Sequence, residues 1–316
     1  LPLSMAIAKA SGASPDRGLV TAIIGGFLIS LLGGSRFQIG GPAGAFIVVV
    51  ASIIERQGYD GLLMATIMAG LAMIIFGSLR LGSYIKYIPH PVLVGFTAGI
   101  ATIIFSSQIV DLFGLRLEGK EPAALIPKLM AISHTLYTIS PTAIFISLFS
   151  AAIILLLRKI KPHWPGFLIA IGLASLLTAG IDHLGFFVET IGTRFGGIPN
   201  SLPAPQFPPM SLERVISLIP DAATIAFLGA IESLLSAVVA DGMTGRRHRS
   251  NMELIAQGIA NVGTALFGGI CATGTIARTA TNVRAGGTSP VAGMIHSFVL
   301  LLLMLFAAPL ASYIPL

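Results

Sequence analysis

The sequence predicts an all-α membrane protein, and three observations support that prediction. Of its 316 residues, 54% are hydrophobic and only 10% are charged, and the mean hydropathy is +0.90. A soluble domain usually carries about 25% charged residues, so a soluble core could not hide this much apolar surface. The apolar residues also form runs of about the 20 residues that a membrane helix needs. Glycine (36) and proline (19) are abundant, as is typical of membrane helices.

Apolar runs recur along the whole chain and define the candidate membrane spans. We place about eleven of them, at roughly 1–13, 17–33, 36–55, 61–79, 90–112, 140–158, 164–181, 214–241, 251–268, 270–285 and 290–311. The chain begins without Met and inside an apolar stretch, with no charged segment typical of a signal peptide. We therefore expect it to be part of a longer protein.

The positive charges test this arrangement of spans. Four basic sites are separated from one another by two spans each, so all four fall on one face of the membrane. The excess of Lys and Arg predicts that this face is cytoplasmic. Segments 113–139 and 182–213 then lie outside. The basic residues are Arg80 and Lys86; Arg158, Lys159 and Lys161; Arg246, Arg247 and Arg249; and Arg284.

The two spans that begin with glycine-rich sequence run in opposite directions in this arrangement. Span 36–55 runs from inside to outside, and span 270–285 runs from outside to inside. Each follows a pair of glycines at the end of an apolar segment, Gly33-Gly34 and Gly268-Gly269. Inverted repeats of this kind are typical of secondary transporters, although glycine pairs also arise by chance in a glycine-rich chain.

The first of these spans contains a predicted helix start. Proline is favoured in the first turn of a helix because its missing N–H would have no partner there. A helix that begins here presents free N–H groups and the positive end of its dipole, which together attract an anion. The alternative is a helix start or a close helix contact that binds no ligand. The candidate substrate-binding residues are Pro42, Ala43, Gly44 and Ala45.

The second of these spans contains a similar start, with a charge inside it. Thr275, Ile276 and Ala277 precede Arg278, which lies about one turn into the predicted helix. An arginine at this depth costs several kcal/mol unless it is paired or faces water, so such residues are candidates for function. The alternative is an arginine that pairs with a buried carboxylate and holds helices together. We predict that all four residues contact the substrate.

An acidic residue inside an apolar helix suggests a second kind of site. Glu232 lies in such a helix, and Ser236 follows one turn later on the same face. A carboxylate in this setting can carry a proton or, with the serine oxygen, bind Na⁺. The alternative is a structural ion pair or a hydrogen bond to the backbone. Glu232 and Ser236 are therefore the candidate coupling-ion residues.

The composition also argues against several classes of function. The net charge of +6 comes from Lys and Arg in short loops between apolar segments, so we predict no nucleic-acid partner. The sequence contains no GxxxxGK[ST] phosphate-binding loop, no His/Cys cluster and no recognisable Ser/His/Asp arrangement. We therefore expect no enzyme activity, no metal and no cofactor other than a coupling H⁺ or Na⁺.

Four blocks of the sequence, taken together, resemble the sulfate permease (SulP) family of anion transporters in order and spacing. The blocks are Leu1–Ala8, Gly33–Pro42, Glu232–Leu234 and Ala272–Asn282. This resemblance covers nearly the whole chain. It implies an inverted 7+7 transmembrane repeat with core and gate domains and with half-helices in segments 3 and 10. Here the repeat is truncated to about 11 segments.

The resemblance further implies a division into domains. Residues 1–79 would form the first part of the core with segments 1–4, residues 80–181 the gate part with segments 5–7, and residues 182–316 the second part of the core with segments 8–11. The remaining gate segments and a cytoplasmic regulatory domain would be absent from this chain. Family members also commonly form homodimers.

The resemblance also implies where the substrate binds. The substrate would lie between the half-helix starts at Pro42–Ala45 and Thr275–Arg278, with Leu3 and Ile7 of the first segment in the same pocket. Some relatives carry Gln and Phe where this chain has Leu3 and Ile7, which leaves the anion open. Glu232 with Ser236 resembles the cation-coupling position of some bacterial relatives.

We therefore expect a secondary active anion transporter, multi-pass in the plasma membrane (the inner membrane of a bacterium). It would carry sulfate, a dicarboxylate or bicarbonate by H⁺-coupled or Na⁺-coupled symport with alternating access. Its partners would be a small inorganic or organic anion, membrane lipid and a second copy of the chain. The alternatives are an uncoupled channel or exchanger of the same fold, a non-transporting anion-binding membrane protein, and a nucleobase carrier, against which Arg278 argues.

Overall fold

A computed structural model describes residues 1–87, 90–117, 119, 122, 125–161, 164, 166–183, 188–197, 199–209 and 211–315. Helices dominate this part of the chain. In chain order they are α1 (Pro2–Ala10), α2 (Pro15–Val20), α3 (Gly26–Leu32), α4 (Ile47–Ser78), α5 (His90–Phe113), α6 (Leu125–His134), α7 (Pro141–Ile160), α8 (Gly166–His183), α9 (Ile191–Phe195), α10 (Leu212–Thr244), α11 (Ser250–Leu266), α12 (Ile276–Arg284) and α13 (Val291–Ala311). A π-helical turn, Thr21–Gly25, joins α2 to α3, and short 3-10 helices occupy Gly44–Phe46, Leu81–Tyr87 and Leu136–Thr138.

Each predicted span contains a helix, and the predicted all-α membrane fold is confirmed. Five helical segments of the described chain are long and apolar enough to cross a membrane: Pro15–Leu32, Gly44–Ser78, Pro141–Ile160, Leu212–Thr244 and Val291–Ala311. Two shorter apolar helical segments, Ile104–Phe113 and Gly166–Ile181, accompany them. The length of an apolar run was therefore enough to locate the helices.

The structure corrects the boundaries of the two glycine-rich spans. Residues 36–43 and 270–275 are not helical, because part of each segment forms a short β-strand. We predicted separate spans at 36–55 and 61–79. The structure instead has one helix, α4, across this gap, and it is interrupted only at Gly58, where φ is 72°. Helices α6 and α9 lie in segments 113–139 and 182–213, which we predicted to lie outside the membrane, and both are shorter than a membrane span.

The chain forms two compact units. The first consists of Leu1–Ile100 and Ser201–Leu303, and the second of Ala101–Asn200 and Met304–Leu316. All of the candidate site residues belong to the first unit. The assignment of core and gate roles to segments of the chain stays a prediction.

The first unit is held together by the close packing of α4 against α11. A Cβ atom built on Gly70 would lie 2.6 Å from the carbonyl oxygen of Gly258, and one built on Gly258 would overlap the carbonyl oxygen of Gly70. A Cβ on Gly77 would likewise lie 2.6 Å from the carbonyl oxygen of Asn251. Small residues allow membrane helices to approach this closely, which maximises van der Waals contact between their backbones.

We expect the substitution Gly258→Ala to destabilise the first unit. The added methyl group meets a backbone carbonyl, which cannot rotate away, so the two helices must separate. Overpacking of this kind costs about 1–3 kcal/mol, and the apparent Tm of the purified protein should fall. The matched control is Gly95→Ala in α5, where a Cβ atom meets nothing within 4 Å. If both variants melt at the wild-type temperature, the close contact between α4 and α11 is wrong.

In the second unit, α7 packs against α8. Ile146, Ala174 and Val188 form a small buried cluster there. Thr190 forms an isolated antiparallel bridge with Pro315. Large apolar side chains of α7 such as Leu148, which is 65% exposed, face outward, as expected of a helix that contacts lipid.

Candidate anion-binding site

A two-stranded antiparallel ladder brings the two glycine-rich segments together. Strand β1 (Gly40–Gly41) pairs with β2 (Thr273–Gly274), with Gly40 opposite Gly274 and Gly41 opposite Thr273. The 3-10 turn Gly44–Phe46 follows β1 and leads into α4, while α12 follows β2. Because the strands are antiparallel, the two helices leave the ladder in opposite directions. Both helix N-termini therefore lie beside one short ladder.

Hydrogen bonds between the two segments fix the ladder. Both the backbone N–H and the hydroxyl of Thr275 donate to the carbonyl oxygen of Ile39, each at 3.0 Å. In return the backbone N–H of Ile39 donates to Oγ1 of Thr279 at 3.1 Å. Asn282 adds a bond from Nδ2 to the carbonyl oxygen of Phe37 at 2.9 Å. These bonds tie the residues just before β1 to Thr275 and to the first two turns of α12.

The helix starts present backbone N–H groups that no side chain caps among the described residues. The hydroxyl of Thr275 binds Ile39 and does not cap α12, and Ala43, which precedes the 3-10 turn, has no polar side chain. The first N–H groups of a helix have no partner within it, and they carry the positive end of its dipole. Two such starts beside one ladder make a favourable environment for an anion.

Arg278 projects its guanidinium group into this region. Nη2 donates to Oγ of Ser4 at 3.1 Å, whereas Nη1 is buried without a hydrogen-bond partner among the described residues. Nη1 also lies against Gly41, where a Cβ atom would overlap it. Because Gly41 has no side chain, the guanidinium group can lie beside β1. Gly41 also has φ of 152°.

Among the described residues, Arg278 is not paired with a carboxylate. Glu232 makes no ion pair with Arg278, and in the described part of the chain no carboxylate oxygen lies within 4.0 Å of the guanidinium. The alternative interpretation of Arg278 as a structural ion pair therefore finds no support among the described residues, since its hydrogen-bond partner is the neutral hydroxyl of Ser4. A buried cation without a counter-charge is costly, and an anion bound beside it would offset that cost.

Glu232 and Ser236 lie on α10, which packs against α12. Glu232 is 9% exposed, and its Oε2 is buried without a hydrogen-bond partner among the described residues. Oγ of Ser236 donates to Oγ1 of Thr279 at 3.1 Å. Through Thr279 the serine is connected to Ile39, at the start of the ladder. Ser236 is thus linked to the candidate anion site by two hydrogen bonds.

The structure places the other predicted residues around the ladder in different environments. Leu3 is 54% exposed and Ile7 is buried. Of the residues at the two helix starts, Pro42, Ala43 and Thr275 are buried, Gly44, Ala45, Ile276 and Arg278 are half-buried, and Ala277 is exposed.

Sequence reasoning missed several residues of the site. Ser4, which binds Arg278, lies between Leu3 and Ile7 and is the only polar residue in Pro2–Ala8, a signal that could have identified it. His296 of α13, a titratable residue in an apolar helix, has its Nε2 buried without a hydrogen-bond partner among the described residues. Neither position carries a motif of its own.

Buried polar side chains on α11 form hydrogen bonds to the segments that precede the two strands of the ladder. Nδ2 and Oδ1 of Asn261 bond to the carbonyl oxygen and the N–H of Ala272, at 2.8 and 2.9 Å, directly before β2. One turn earlier Nε2 of Gln257 donates to Oε1 of Glu253 at 2.9 Å, and Oε2 of Glu253 accepts from the N–H groups of Gly34 and Ser35. A site held by such second-layer bonds is preorganised.

Comparison with known proteins provides independent information on this chain. The sequence model of the sulfate permease family matches residues 1–316. The chain is 47% identical over 319 residues to the candidate sulfate transporter YvdB of Bacillus subtilis (strain 168), covering all of this chain and 59% of that protein. It is 35% identical over 334 residues to the bicarbonate transporter BicA of Picosynechococcus sp., covering all of this chain and 56% of that protein.

A solved structure has the same fold. The transmembrane domain of a cyanobacterial bicarbonate transporter, BicA, superposes with a TM-score of 0.87 at 34% sequence identity. The superposition covers 99% of this chain and 80% of that one. The chain spans more than half, but less than two thirds, of the length of YvdB and of the BicA protein of Picosynechococcus sp..

Proposed function

Because the chain belongs to the sulfate permease family, we propose that it forms the anion-translocating part of a secondary active transporter. The substrate is a small oxyanion of the sulfate, dicarboxylate or bicarbonate class. The names of the relatives YvdB and BicA, which refer to sulfate and bicarbonate, support this choice. The protein is a multi-pass membrane protein, as its apolar helices require.

One observation carries the proposal, which is the buried guanidinium of Arg278 between two uncapped helix starts. Nη2 is bonded to Ser4, and Nη1 has no partner among the described residues. A guanidinium group offers donors in a fixed fork that matches an oxyanion. The N–H groups at Gly44 and Ile276 would add neutral donors to the same anion. A pocket of this kind selects for negative charge, which a nucleobase lacks.

We further propose that Glu232 and Ser236 bind the coupling ion. Their oxygen atoms lie one turn apart on α10, and Ser236 is bonded to Thr279 of α12. A proton on Glu232, or Na⁺ held by both oxygens, would reduce the negative charge near the substrate anion. Binding of the ion and of the anion would then favour each other, which is the basis of symport. Alternating access would carry both across the membrane.

We expect Glu232→Gln to uncouple transport from the ion gradient. The amide keeps the size of the side chain but neither binds a proton at neutral pH nor carries the charge that attracts Na⁺. Uptake into proteoliposomes should no longer respond to an imposed pH or Na⁺ gradient. The affinity of the purified protein for the anion should fall much less than the gradient-driven uptake. Glu213→Gln, at the exposed start of α10, is the matched control. Gradient-driven uptake at the wild-type rate in Glu232→Gln would contradict the assignment.

The proposed function as a whole is tested by uptake of radiolabelled sulfate, bicarbonate and succinate into proteoliposomes, with and without pH and Na⁺ gradients. Accumulation that depends on one gradient is the expected result. Large uncoupled currents would instead indicate an anion channel, and binding without flux would indicate a non-transporting protein. The predicted homodimer is a separate proposal, for which native mass spectrometry in detergent is the direct test.

A further inference from the structure

A cavity in the first unit is lined by four arginines and a histidine among its ten lining residues. Its volume is about 560 Å³, and it lies between the loop Gly33–Phe37 and the segment that joins α10 to α11. The loop contributes Arg36 to the wall. The last turn of α10 contributes Asp241, and the joining segment contributes Arg246, Arg247, His248 and Arg249. None of the ladder residues lines this cavity, so it is separate from the candidate substrate site.

Within the described parts of the chain, the arginines of this cavity have no ion-pair partner. Its four arginines are exposed, and the described residues provide no carboxylate partner for any of them. The single acidic lining residue, Asp241, is bonded to His248, which also lines the cavity: its Oδ2 lies 2.7 Å from Nδ1 of His248 and accepts from the backbone N–H of His248 at 3.1 Å. Four exposed arginines therefore line one cavity without a carboxylate partner among the described residues.

The walls of the cavity are fixed by buried hydrogen bonds. Oε2 of Glu253 accepts from the N–H groups of Gly34 and Ser35 at 2.8 and 3.1 Å, and Glu253 itself is fully buried. The backbone N–H of Arg249 donates to the carbonyl oxygen of Gly34 at 3.1 Å, which ties the two walls together. The guanidinium group of Arg246 lies 6.0 Å from the ring centre of Phe37, within the range of a cation–π interaction. The cavity is thus formed before any ligand arrives.

We propose that this cavity binds a phosphate group, as a site distinct from the substrate site. Clusters of arginines bind phosphate through paired, charge-assisted hydrogen bonds, and a doubly charged phosphomonoester satisfies more than one guanidinium group. The start of α11 at Ser250 adds the positive end of a helix dipole. The phosphate belongs to a lipid headgroup or to a free ion, since the arginine pattern predicts that the cavity opens on the cytoplasmic face.

A bound phosphate would connect two segments that lead to the substrate site. Phe37 is followed within three residues by β1, and Asp241 lies in the last turn of α10, the helix that carries Glu232 and Ser236. An anion that bridges Arg36 to the arginines of the joining segment would stabilise these segments against each other. Occupancy of this cavity would therefore restrict the loop that enters the ladder, and in this way it would regulate the proposed transport activity.

The test is protection of individual arginines from phenylglyoxal, measured by peptide mass spectrometry on the purified protein. Inorganic phosphate at constant ionic strength is the free-ion probe. Reconstitution in phosphatidylcholine with or without phosphatidic acid is the lipid probe. We expect the modification of Arg246 and Arg247 to slow about tenfold at roughly ten times the Kd of the anion. Arg158 at the exposed end of α7 should react at an unchanged rate.

Each arm of this test has a definite outcome. Protection by inorganic phosphate assigns a free ion, and protection by phosphatidic acid alone assigns a lipid headgroup. The absence of protection by either, or equal protection of Arg158, overturns the proposal. These measurements need no transport, so their failure would leave the proposed transport function untouched.

A pair of charge-removing variants provides the matched comparison. The double substitution R246Q/R247Q should raise the Kd for inorganic phosphate about 100-fold, measured through protection of Arg36 and Arg249. The double substitution R158Q/K159Q removes the same charge at the end of α7 and should leave this Kd unchanged. An unchanged Kd in R246Q/R247Q overturns the proposal. The wild-type protection pattern is measured without any variant, so the proposal stays testable if R246Q/R247Q fails to fold.

Discussion

Uptake of the substrate anion should fall about 100-fold or more when Arg278 is replaced by alanine. Each hydrogen bond from a charged donor contributes about 1.5–3 kcal/mol. The guanidinium group offers Nη1, which has no partner among the described residues, and Nη2, which also donates to Ser4. Loss of two such bonds corresponds to roughly two or more orders of magnitude in affinity. Because the alanine also removes an unpaired buried charge, the variant should remain folded in the membrane with a normal yield.

The matched control is Arg284→Ala, at the exposed end of the same helix. It removes the same charge but not the contact with Ser4, so uptake should stay close to that of the wild type. Arg278→Lys keeps a charge but lacks the planar fork, and it should fall between the two. Wild-type uptake in Arg278→Ala would show that the charge does not act on the substrate.

Uptake should also be lost, by about tenfold or more, in the variant Gly41→Ala. The new Cβ atom would overlap Nη1 of Arg278, so the guanidinium group must leave its place beside β1. The residue also has φ of 152°, a backbone conformation that costs a non-glycine residue about 1–3 kcal/mol. The apparent Tm should therefore fall together with the uptake.

Gly242→Ala is the matched control for this prediction. Gly242 lies on α10, where a Cβ atom meets nothing within 4 Å. Its variant should transport and melt like the wild type. A Gly41→Ala protein that transports normally would mean that the guanidinium group is not held against the ladder.

The sequence alone was sufficient to predict the helices and their family. Burial in a bilayer requires long apolar runs, and such runs at 140–158 and 290–311 correspond closely to α7 and α13. The resemblance based on four short blocks is confirmed by the family match over residues 1–316. The cost of a charge in a membrane also identified Arg278 and Glu232 as candidates.

The contacts within the site could not be predicted from the sequence, for two physical reasons. A strand of two residues such as Gly40–Gly41 is too short to show any alternation of apolar and polar residues. The contacts also join residues that are far apart in the chain, since Ser4 is 274 positions from Arg278 and Ile39 is 236 positions from Thr275. The sequence left open whether Arg278 pairs with a buried carboxylate, whereas the structure places the hydroxyl of Ser4 beside it.

Equilibrium binding of radiolabelled anions to the purified protein tests most directly whether the two helix starts and Arg278 form the anion site. Sulfate, bicarbonate and succinate are measured with the wild type, Arg278→Ala and Arg284→Ala. We predict that at least one anion binds to the wild type and equally to Arg284→Ala. Its Kd should rise about 100-fold in Arg278→Ala. Equal binding by the wild type and Arg278→Ala would contradict the proposed site.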